Sequence, residues 1–256
     1  MHRPAHARLL ESLVPVIRAA GELVMAVYRT DFDVRGKDDA SPVTEADERA
    51  EALILPALEA LLPGVPVIAE EAVAAGRVPA LAERFWLVDP LDGTKEFISR
   101  NGEFTVNIAL IEHGVPVLGA VLAPAIDRLF LGSAGHGAFV EGGGRRRPIH
   151  CRKVPAEGLT VVASRSHGDA AALDAFLDGR KVAKLMNAGS SLKLCLIASG
   201  EADLYPRLGR TMEWDIAAGH AVLAAAGGKV QTLAGEPLRY GKPGLDNPHF
   251  FASGLA

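Results

Sequence analysis

Cysteine is scarce in this sequence. Only Cys151 and Cys195 are cysteines among 256 residues, and they lie far apart and outside any CxxC pattern. A small secreted domain held together by disulfides would need a denser set of cysteines. We therefore expect two reduced thiols in a cytoplasmic protein. Its stability would come from a hydrophobic core, for which 256 residues, 49% of them hydrophobic, are ample.

An excess of positive charge is also absent. The 27 Lys and Arg residues are outnumbered by 31 Asp and Glu residues, which gives a formal net charge of −4. Proteins that bind the backbone of a nucleic-acid polymer normally carry a basic excess, so we expect no such partner.

Long apolar runs are absent as well. The longest apolar region, residues 105–126, is interrupted by Glu112, Pro116 and Pro124, and it predicts two strands and a turn. It is therefore not expected to cross a membrane. Charged residues also interrupt the first 24 residues, so we expect no signal-peptide core there.

The remaining pattern predicts an α+β fold in two halves. Apolar residues at helical spacing predict helices over residues 5–28 and 43–62. Six short strands between residues 65 and 141 indicate a mostly antiparallel sheet. Segment 142–148, rich in glycine and arginine, is expected to be a hinge or a domain boundary, and beyond it strands alternate with helices as in an α/β unit. We place the two halves at residues 1–145 and 146–256.

The most informative segment is residues 86–94, WLVDPLDGT. On a regular strand Asp89 and Asp92 would point to opposite faces, because side chains alternate with a period of two. Pro90 is expected to stop the strand's hydrogen-bond ladder and to let the two carboxylates converge. Gly93-Thr94 would then open a short helix whose free N–H groups suit a phosphate oxygen. This pattern favours a Mg²⁺ phosphoryl site, although alone it also fits an acidic turn with a helix cap.

Further acidic positions have ordinary structural explanations when each is taken alone. Glu70 and Glu71 follow an apolar strand, as surface glutamates often do. Thr44 and Asp47 fit a capping box at a helix start. Asp215 lies at another expected helix start, where capping and the helix dipole favour a carboxylate. Their part in a metal site depends on the fold bringing them to the aspartate-rich turn.

Four positions in the second half predict contacts with an anion. Ser190 is expected to cap a helix, and Lys193 lies in the first turn of that helix, where its charge opposes the helix dipole. A cation at that place is more reasonable if an anion binds nearby. His167 and Arg207 add polar and basic groups, although His167 taken alone fits a polar loop.

Together these segments resemble the lithium-sensitive, magnesium-dependent phosphatases that include inositol monophosphatases, fructose 1,6-bisphosphatases and 3′(2′),5′-bisphosphate nucleotidases. That superfamily carries a Glu-Glu pair, then D-P-[IL]-D-G-[TS], then W-D-x-A-A-G. This sequence has all three in order, at residues 70–71, 89–94 and 214–219. The runs DPLDGTKEF and RNGEFTVNIAL are similar to the CysQ-type nucleotidases within it. The resemblance implies a layered αβαβα sandwich with the site between its halves.

The resemblance also implies a role for each matching residue, around two or three Mg²⁺ ions. The metal ligands would be Glu70, Asp89, the Leu91 carbonyl, Asp92 and Asp215. The catalytic residues, which orient and deprotonate a water, would be Asp47, Glu71 and Thr94. The substrate-binding residues would be Glu70, Leu91, Asp92, Gly93, Thr94, His167, Ser190, Lys193, Arg207 and Asp215.

The implied activity is hydrolysis of the 3′-phosphate of adenosine 3′,5′-bisphosphate to AMP and phosphate, with the related sulfated nucleotide as a second substrate. Inositol monophosphatase or broad sugar-phosphate phosphatase activity is the alternative on the same scaffold. A non-catalytic metal- or nucleotide-binding regulator, and a structural protein whose carboxylates only cap turns, are alternatives of other classes. The resemblance further implies inhibition by lithium. It leaves open a homodimer and peripheral attachment to the inner face of the membrane.

Overall fold

Helices and strands alternate along the chain in a computed structural model that describes residues 3–30, 34–36, 42–164 and 170–255. The helices are α1 (Arg3–Tyr28), α2 (Glu45–Leu61), α3 (Glu70–Ala74), α4 (Thr94–Ile98), α5 (Ala170–Leu177), α6 (Leu192–Ala198) and α7 (Glu213–Ala225). The strands are β1 (Val34–Gly36), β2 (Pro42–Thr44), β3 (Val67–Ala69), β4 (Arg84–Asp92), β5 (Thr105–Glu112), β6 (Val115–Ala123), β7 (Arg128–Ser133), β8 (Gly137–Gly142), β9 (Arg145–Ile149), β10 (Leu159–Ser164), β11 (Val182–Ala188), β12 (Leu204–Arg207), β13 (Lys229–Thr232) and β14 (Phe250–Ser253). No described helix is long and apolar enough to cross a lipid bilayer.

Two large sheets organise these elements. The first has the order β3-β4-β5-β6-β7-β8-β9, and its strands are antiparallel except for the parallel pair β3 and β4. The second has the order β11-β10-β12-β14-β13 and mixes parallel with antiparallel pairs. The predicted antiparallel first half is therefore confirmed.

The helices lie in three layers around the two sheets. Helices α1 and α2 pack on one face of the seven-stranded sheet, while α6 and α7 fill the space between the two sheets. Phe250 of β14 is buried in that central layer, and its neighbour Phe251 contacts Phe176 of α5 on the opposite face. The order of layers is thus α-β-α-β-α, as the sequence led us to expect.

Strand β4 shows how the sequence produces this sandwich. Phe85 and Leu87 pack into the core shared with α6 and α7, whereas Trp86 and Val88 pack into the core shared with α1 and α2. Because side chains alternate along a strand, an apolar run without polar interruption is what a sheet covered on both faces requires.

Helix α7 approaches the seven-stranded sheet unusually closely. A Cβ atom on Gly119 of β6 would lie 2.3 Å from the carbonyl oxygen of Ala218, and one on Gly132 of β7 would lie 2.5 Å from the Cα of Val222. Any larger residue at these two positions would push α7 away from the sheet. Since α7 begins next to Asp215, the two glycines help to set the depth of the site.

The segment expected to be a hinge is instead regular sheet structure. Residues 142–148 form the turn between β8 and β9 and most of β9, with Gly142 paired to Arg145 and Ala138 paired to Ile149. The prediction of a flexible joint at this segment is wrong, because backbone pairing to β8 satisfies the chain there. The chain leaves the first sheet only after Ile149, and the division into halves at 145 and 146 stays a prediction.

Candidate active site

Carboxylates meet at one edge of the seven-stranded sheet. Strands β3 and β4 run parallel with Ala69 paired to Val88, so the next residues along, Glu70 and Asp89, emerge side by side. Glu70 is the first residue of α3, and Asp89 is buried with 1% of its surface exposed. Parallel pairing therefore brings two motifs that are 19 positions apart in sequence to one place.

A β-bulge in β4 brings Asp92 to the same face as Asp89. Asp89 pairs with Asn107 and Asp92 pairs with Thr105, so β4 spans three residues where β5 spans two. The extra residue reverses the alternation, and Leu91 consequently packs into the core beside α1 and α2. The predicted convergence of the two carboxylates follows from this bulge. The prediction that Pro90 ends the ladder is wrong, because pairing resumes at Asp92.

The carboxylates line a cleft of about 340 Å³ between the two sheets. Helix α4 begins at Thr94 on one side, after Gly93 in a left-handed conformation with φ +90°. Helix α7 begins on the other side, where Asp215 Oδ2 accepts the backbone N–H of Met212 at 2.9 Å. The predicted residues that line the cleft are Glu70, Asp89, Leu91, Asp92, Gly93, Thr94, Ser190, Lys193, Arg207 and Asp215.

Burial and mutual repulsion make it costly for this acidic group to be ionised. Burial, with the charges of Glu70 and Asp92 next in importance, raises the pKa of Asp89 well above its usual value. Burial raises the pKa of Asp92 to about 6, although Lys193 and the N–H of Ser191 oppose the shift. The pKa of Asp215 is also raised, again by burial and then by Asp92 and Glu70.

The donor set fits a hydrated divalent cation. Within the described residues, no group of three or more acidic, histidine or cysteine side chains is arranged to hold a metal ion by itself. Mg²⁺ does not need one, because it keeps several waters and is commonly held by one or two carboxylates together with phosphate oxygens. A bound cation removes the repulsion between carboxylates that raise one another's pKa.

The opposite wall of the cleft is basic. Lys193 is buried on α6, and its Nζ donates to the carbonyl oxygens of Ser190 at 2.6 Å and Ala188 at 3.3 Å. Burial lowers the pKa of Lys193 to about 8. The ring of Tyr205 lies beneath this ammonium, with 5.4 Å between Nζ and the ring centroid. Arg207, two residues along β12, donates from Nη2 to the carbonyl oxygen of Arg210 at 2.7 Å.

The loop at residues 189–191 joins the two walls. Glu103 accepts the N–H of Gly189 at 2.9 Å, and Asp92 accepts the N–H of Ser191 at 2.6 Å. Ser190 has φ +44°, a left-handed conformation that is uncommon for a residue with a side chain. The residue in the capping position of α6 is Ser191, so the prediction of Ser190 as the cap is wrong by one residue.

Other predicted residues lie outside the cleft lining. Asp47 is fully buried in the first turn of α2, and its charge contributes to the raised pKa of Asp89. Glu71 is the second residue of α3, and its backbone N–H donates to Glu51 Oε2 of α2 at 2.8 Å. His167 and the side chain of Thr44 lie outside the described residues.

Arg210 and Glu96 are among the cleft residues to which the sequence reasoning gave no role. Arg210 lines the rim and pairs with Asp246 at 3.0 Å. Glu96 is buried at the lining near Gly93, and its charge acts on both Asp92 and Lys193. A buried glutamate in a short helix gives no signal in sequence alone, because exposed helices carry glutamate in the same positions.

Comparison with known proteins agrees with this geometry. The sequence profile of the inositol monophosphatase family matches residues 6–253. The chain belongs to the inositol monophosphatase family. Within the family it is 48% identical over 234 residues to 3′(2′),5′-bisphosphate nucleotidase CysQ of Escherichia coli strain K12, with 91% of this chain and 94% of the relative covered.

Further members of the inositol monophosphatase family are similar across almost the whole chain. The CysQ nucleotidase of Buchnera aphidicola is 42% identical over 253 residues, which are 97% of this chain and 94% of the relative. The crystal structure of CysQ from Bacteroides thetaiotaomicron has a TM-score of 0.81 at 36% identity, with 96% of this chain and 97% of that one covered. The layered fold expected from the motifs is therefore confirmed.

Proposed function

We propose that this chain is a divalent-cation-dependent 3′(2′),5′-bisphosphate nucleotidase that converts adenosine 3′,5′-bisphosphate to AMP and phosphate. The observation that carries the proposal is a single cleft with an acidic wall, formed by Glu70, Asp89, Asp92 and Asp215, and a basic wall, formed by Lys193 and Arg207. The acidic wall suits a cation and the phosphate to be cleaved, and the basic wall suits a second phosphate that is kept. The nucleotidases named above, at 42–48% identity, favour the same substrate class.

The acidic wall would hold the cation. Glu70, Asp89, Asp92, Asp215 and the Leu91 carbonyl are the proposed ligands, for two ions with a third left open. When bound, Mg²⁺ lowers the pKa of a coordinated water and polarises phosphoryl oxygens. The cation would supply the positive charge that lets a wall of carboxylates bind a polyanionic substrate.

The remaining residues would position the reactants. The hydroxyl of Thr94, which donates to the Leu91 carbonyl at 3.4 Å, orients the attacking water. During attack the water would give a proton to the Thr94 oxygen while Thr94 gives its own hydroxyl proton to Asp47 rather than to the Leu91 carbonyl, and Glu71 would assist. The N–H groups of Gly93 and Thr94 bind oxygens of the phosphate under attack, because they open α4 towards the cleft. We expect catalysis to arise mainly from this positioning and from charge neutralisation.

The basic wall would retain the other phosphate and the ribose. Lys193 and Arg207 bind the 5′-phosphate, and Ser190 and His167 bind the ribose side next to it. Lys193 is held by two carbonyl oxygens before any ligand arrives, so little side-chain entropy is lost on binding. The two cysteines are free and buried, which supports action in the cytoplasm.

Product identification by ³¹P NMR tests the proposal. The enzyme with MgCl₂ and adenosine 3′,5′-bisphosphate should give AMP and inorganic phosphate in equal amounts, and EDTA should stop the reaction. Asp89→Asn serves as the inactive control, since the amide keeps the shape of the side chain and loses its charge. Release of the 5′-phosphate, or hydrolysis of inositol 1-phosphate alone, would contradict the proposal.

A further inference from the structure

Three buried polar residues connect the acidic wall with the basic wall. Thr105 and Asn107 lie on β5, Ser191 precedes α6, and each has 3% or less of its surface exposed. The hydroxyl of Ser191 lies 2.9 Å from that of Thr105 and donates to Asn107 Oδ1 at 2.7 Å. We name this group the hydroxyl–amide bridge.

Ser191 is placed where a serine would ordinarily cap its own helix. Its hydroxyl makes no capping hydrogen bond to α6 and reaches across to β5 instead. Serine in this position is favoured because its oxygen accepts a backbone N–H of the first helical turn. Here that stabilisation is given up for a contact with the strand that faces the proposed cation ligands.

The bridge faces both aspartates of β4. Asn107 is the cross-strand partner of Asp89, and Thr105 is the cross-strand partner of Asp92. Directly opposed residues of an antiparallel pair share one face of the sheet with their Cβ atoms about 5 Å apart. Ser191 adds a direct contact, because its backbone N–H donates to Asp92 at 2.6 Å. Each aspartate therefore has a bridge residue beside it.

The amide of Asn107 has an unused donor at this place. Its Oδ1 accepts the Ser191 hydroxyl, and among the described residues its buried Nδ2 has no hydrogen-bond partner. A buried amide N–H without a partner is costly, and native structures seldom keep one without a reason. An N–H on the face of Asp89 is suited to a carboxylate oxygen or to an oxygen held by a cation.

We propose that Ser191 and Asn107 are positioning residues that hold Asp89 and Asp92 in the orientation that binds a divalent cation. Ser191 contacts both the amide of Asn107 and the carboxylate of Asp92, and the unpartnered Nδ2 of Asn107 is a donor available to Asp89 or to an oxygen held by the cation. Groups that orient metal-binding carboxylates typically change metal affinity 10–100-fold when they are removed. The inference rests on the proposed function only in taking Asp89 and Asp92 as cation ligands.

A Mn²⁺ titration followed by electron paramagnetic resonance, without substrate, tests the inference. The signal of free Mn²⁺ gives the affinity directly and does not depend on turnover. Ser191→Ala and Asn107→Ala should each weaken Mn²⁺ binding about tenfold or more. Ser191→Thr, which keeps the hydroxyl, should bind within about threefold of the unchanged protein.

A serine at the far end of α6 supplies a matched control. Ser199 donates to the Cys195 carbonyl at 2.9 Å, so Ser199→Ala should leave both Mn²⁺ affinity and KM for the bisphosphate unchanged. Ser190 does not serve as a control, because its hydroxyl accepts a hydrogen bond from Thr105 of the bridge at 3.2 Å. Thermal unfolding of each variant identifies any that fails to fold, and the other alanine variant then carries the comparison.

Mn²⁺ affinity within twofold of the unchanged protein in both alanine variants would overturn the inference. Equal weakening by Ser191→Ala and Ser191→Thr would also overturn it, because the hydroxyl would then have no part. Neither outcome bears on the substrate. An enzyme inactive on adenosine 3′,5′-bisphosphate with the expected pattern of Mn²⁺ affinities would refute the proposed function and leave the positioning role intact.

Discussion

Asp92 should destabilise the cation-free protein, and neutralising it should therefore stabilise the fold. The pKa of Asp92 is about 6 in the folded protein, against an ordinary value near 3.8. Two pKa units correspond to about 3 kcal/mol. Asp92 is half-buried in an open cleft, so solvent screening reduces the expected cost to about 1–2 kcal/mol.

The sign of the pH dependence follows from the raised pKa. Between pH 4 and 6 the unfolded chain has lost this proton and the folded protein keeps it, so stability from this group falls as pH rises. Asp92→Asn removes the titration and still accepts the N–H of Ser191. In EDTA, the variant should be as stable as the unchanged protein at pH 4 and more stable by about 1–2 kcal/mol above pH 6.

Asp203 serves as a control because it is a buried carboxylate whose pKa shifts in the opposite direction to that of Asp92. Its carboxylate accepts Arg152 Nε at 2.8 Å and the N–H of Thr160 at 2.7 Å, and these contacts overcome burial and lower its pKa. The ionised form is therefore the stabilising one. Asp203→Asn should lose about 2 kcal/mol at pH 7.

Denaturant unfolding in EDTA and in MgCl₂ measures both variants. The unchanged protein should gain about 1.4 kcal/mol at a Mg²⁺ concentration ten times Kd, and Asp92→Asn should gain much less. If Asp92→Asn destabilised the protein in EDTA as strongly as Asp203→Asn, the carboxylate would be a structural cap. The electrostatic argument for a cation site would then fail.

Three further predictions concern single side chains. Lys193→Met should raise KM for adenosine 3′,5′-bisphosphate at least tenfold and leave KM for inositol 1-phosphate within threefold, because only the former carries a second phosphate; equal effects on both substrates would contradict this assignment. Thr94→Val should lower kcat by about 10²–10⁴ with Mn²⁺ affinity retained, as expected for a group that orients a proton transfer; a kcat within threefold would remove Thr94 from the chemistry. His220, buried against the Tyr240 hydroxyl at 2.8 Å, has its pKa lowered by burial to about 3. Between pH 6.5 and 3 only the unfolded chain binds a proton at this histidine, so the free energy of unfolding should fall by about 1.4 kcal/mol for each unit by which the pH is lowered. His220→Gln should remove that slope in acid unfolding without changing kcat at pH 7.5. A slope that is the same in the variant would show that His220 is protonated in the folded protein.

The layers of the fold followed from the resemblance of the motifs, and the antiparallel strands of the first sheet could be predicted because they carry strong apolar patterns. Strands β9 and β11 were missed for the opposite reason. Three consecutive arginines, Arg145, Arg146 and Arg147, are exposed on β9, and most of β11 is exposed as well. Both are edge strands, which bury little and need no alternation of apolar residues. They are recognised only in the structure, from the hydrogen bonds that each makes with a neighbouring strand.

The candidate site shows a similar division. The motifs named Glu70, Asp89, Asp92 and Asp215, which line the cleft, because a cation site calls for carboxylates, but they gave no role to Glu96. Sequence could not separate Ser190 from Ser191, since both suit a helix cap. Contacts from elsewhere decided between them, with Glu103 holding Gly189 and Asp92 holding Ser191.

The adjacent glutamates needed the structure in the same way. A helix rotates about 100° per residue. Both glutamates lie in the first turn of α3, and of the two Glu70 lines the cleft, while Glu71 lies outside the lining and its backbone N–H donates to Glu51. Their order in the sequence does not indicate which of the two reaches the site.

The most direct test of the account is kcat/KM with Mg²⁺ on adenosine 3′,5′-bisphosphate, inositol 1-phosphate and fructose 1,6-bisphosphate, measured side by side. Two charge-assisted contacts from Lys193 and Arg207 to the retained phosphate, at about 1.5–3 kcal/mol each, predict a preference for the nucleotide of about a hundredfold or more. Comparable values for the nucleotide and inositol 1-phosphate would leave the cation site in place and contradict the claim that the basic wall selects a nucleotide bisphosphate.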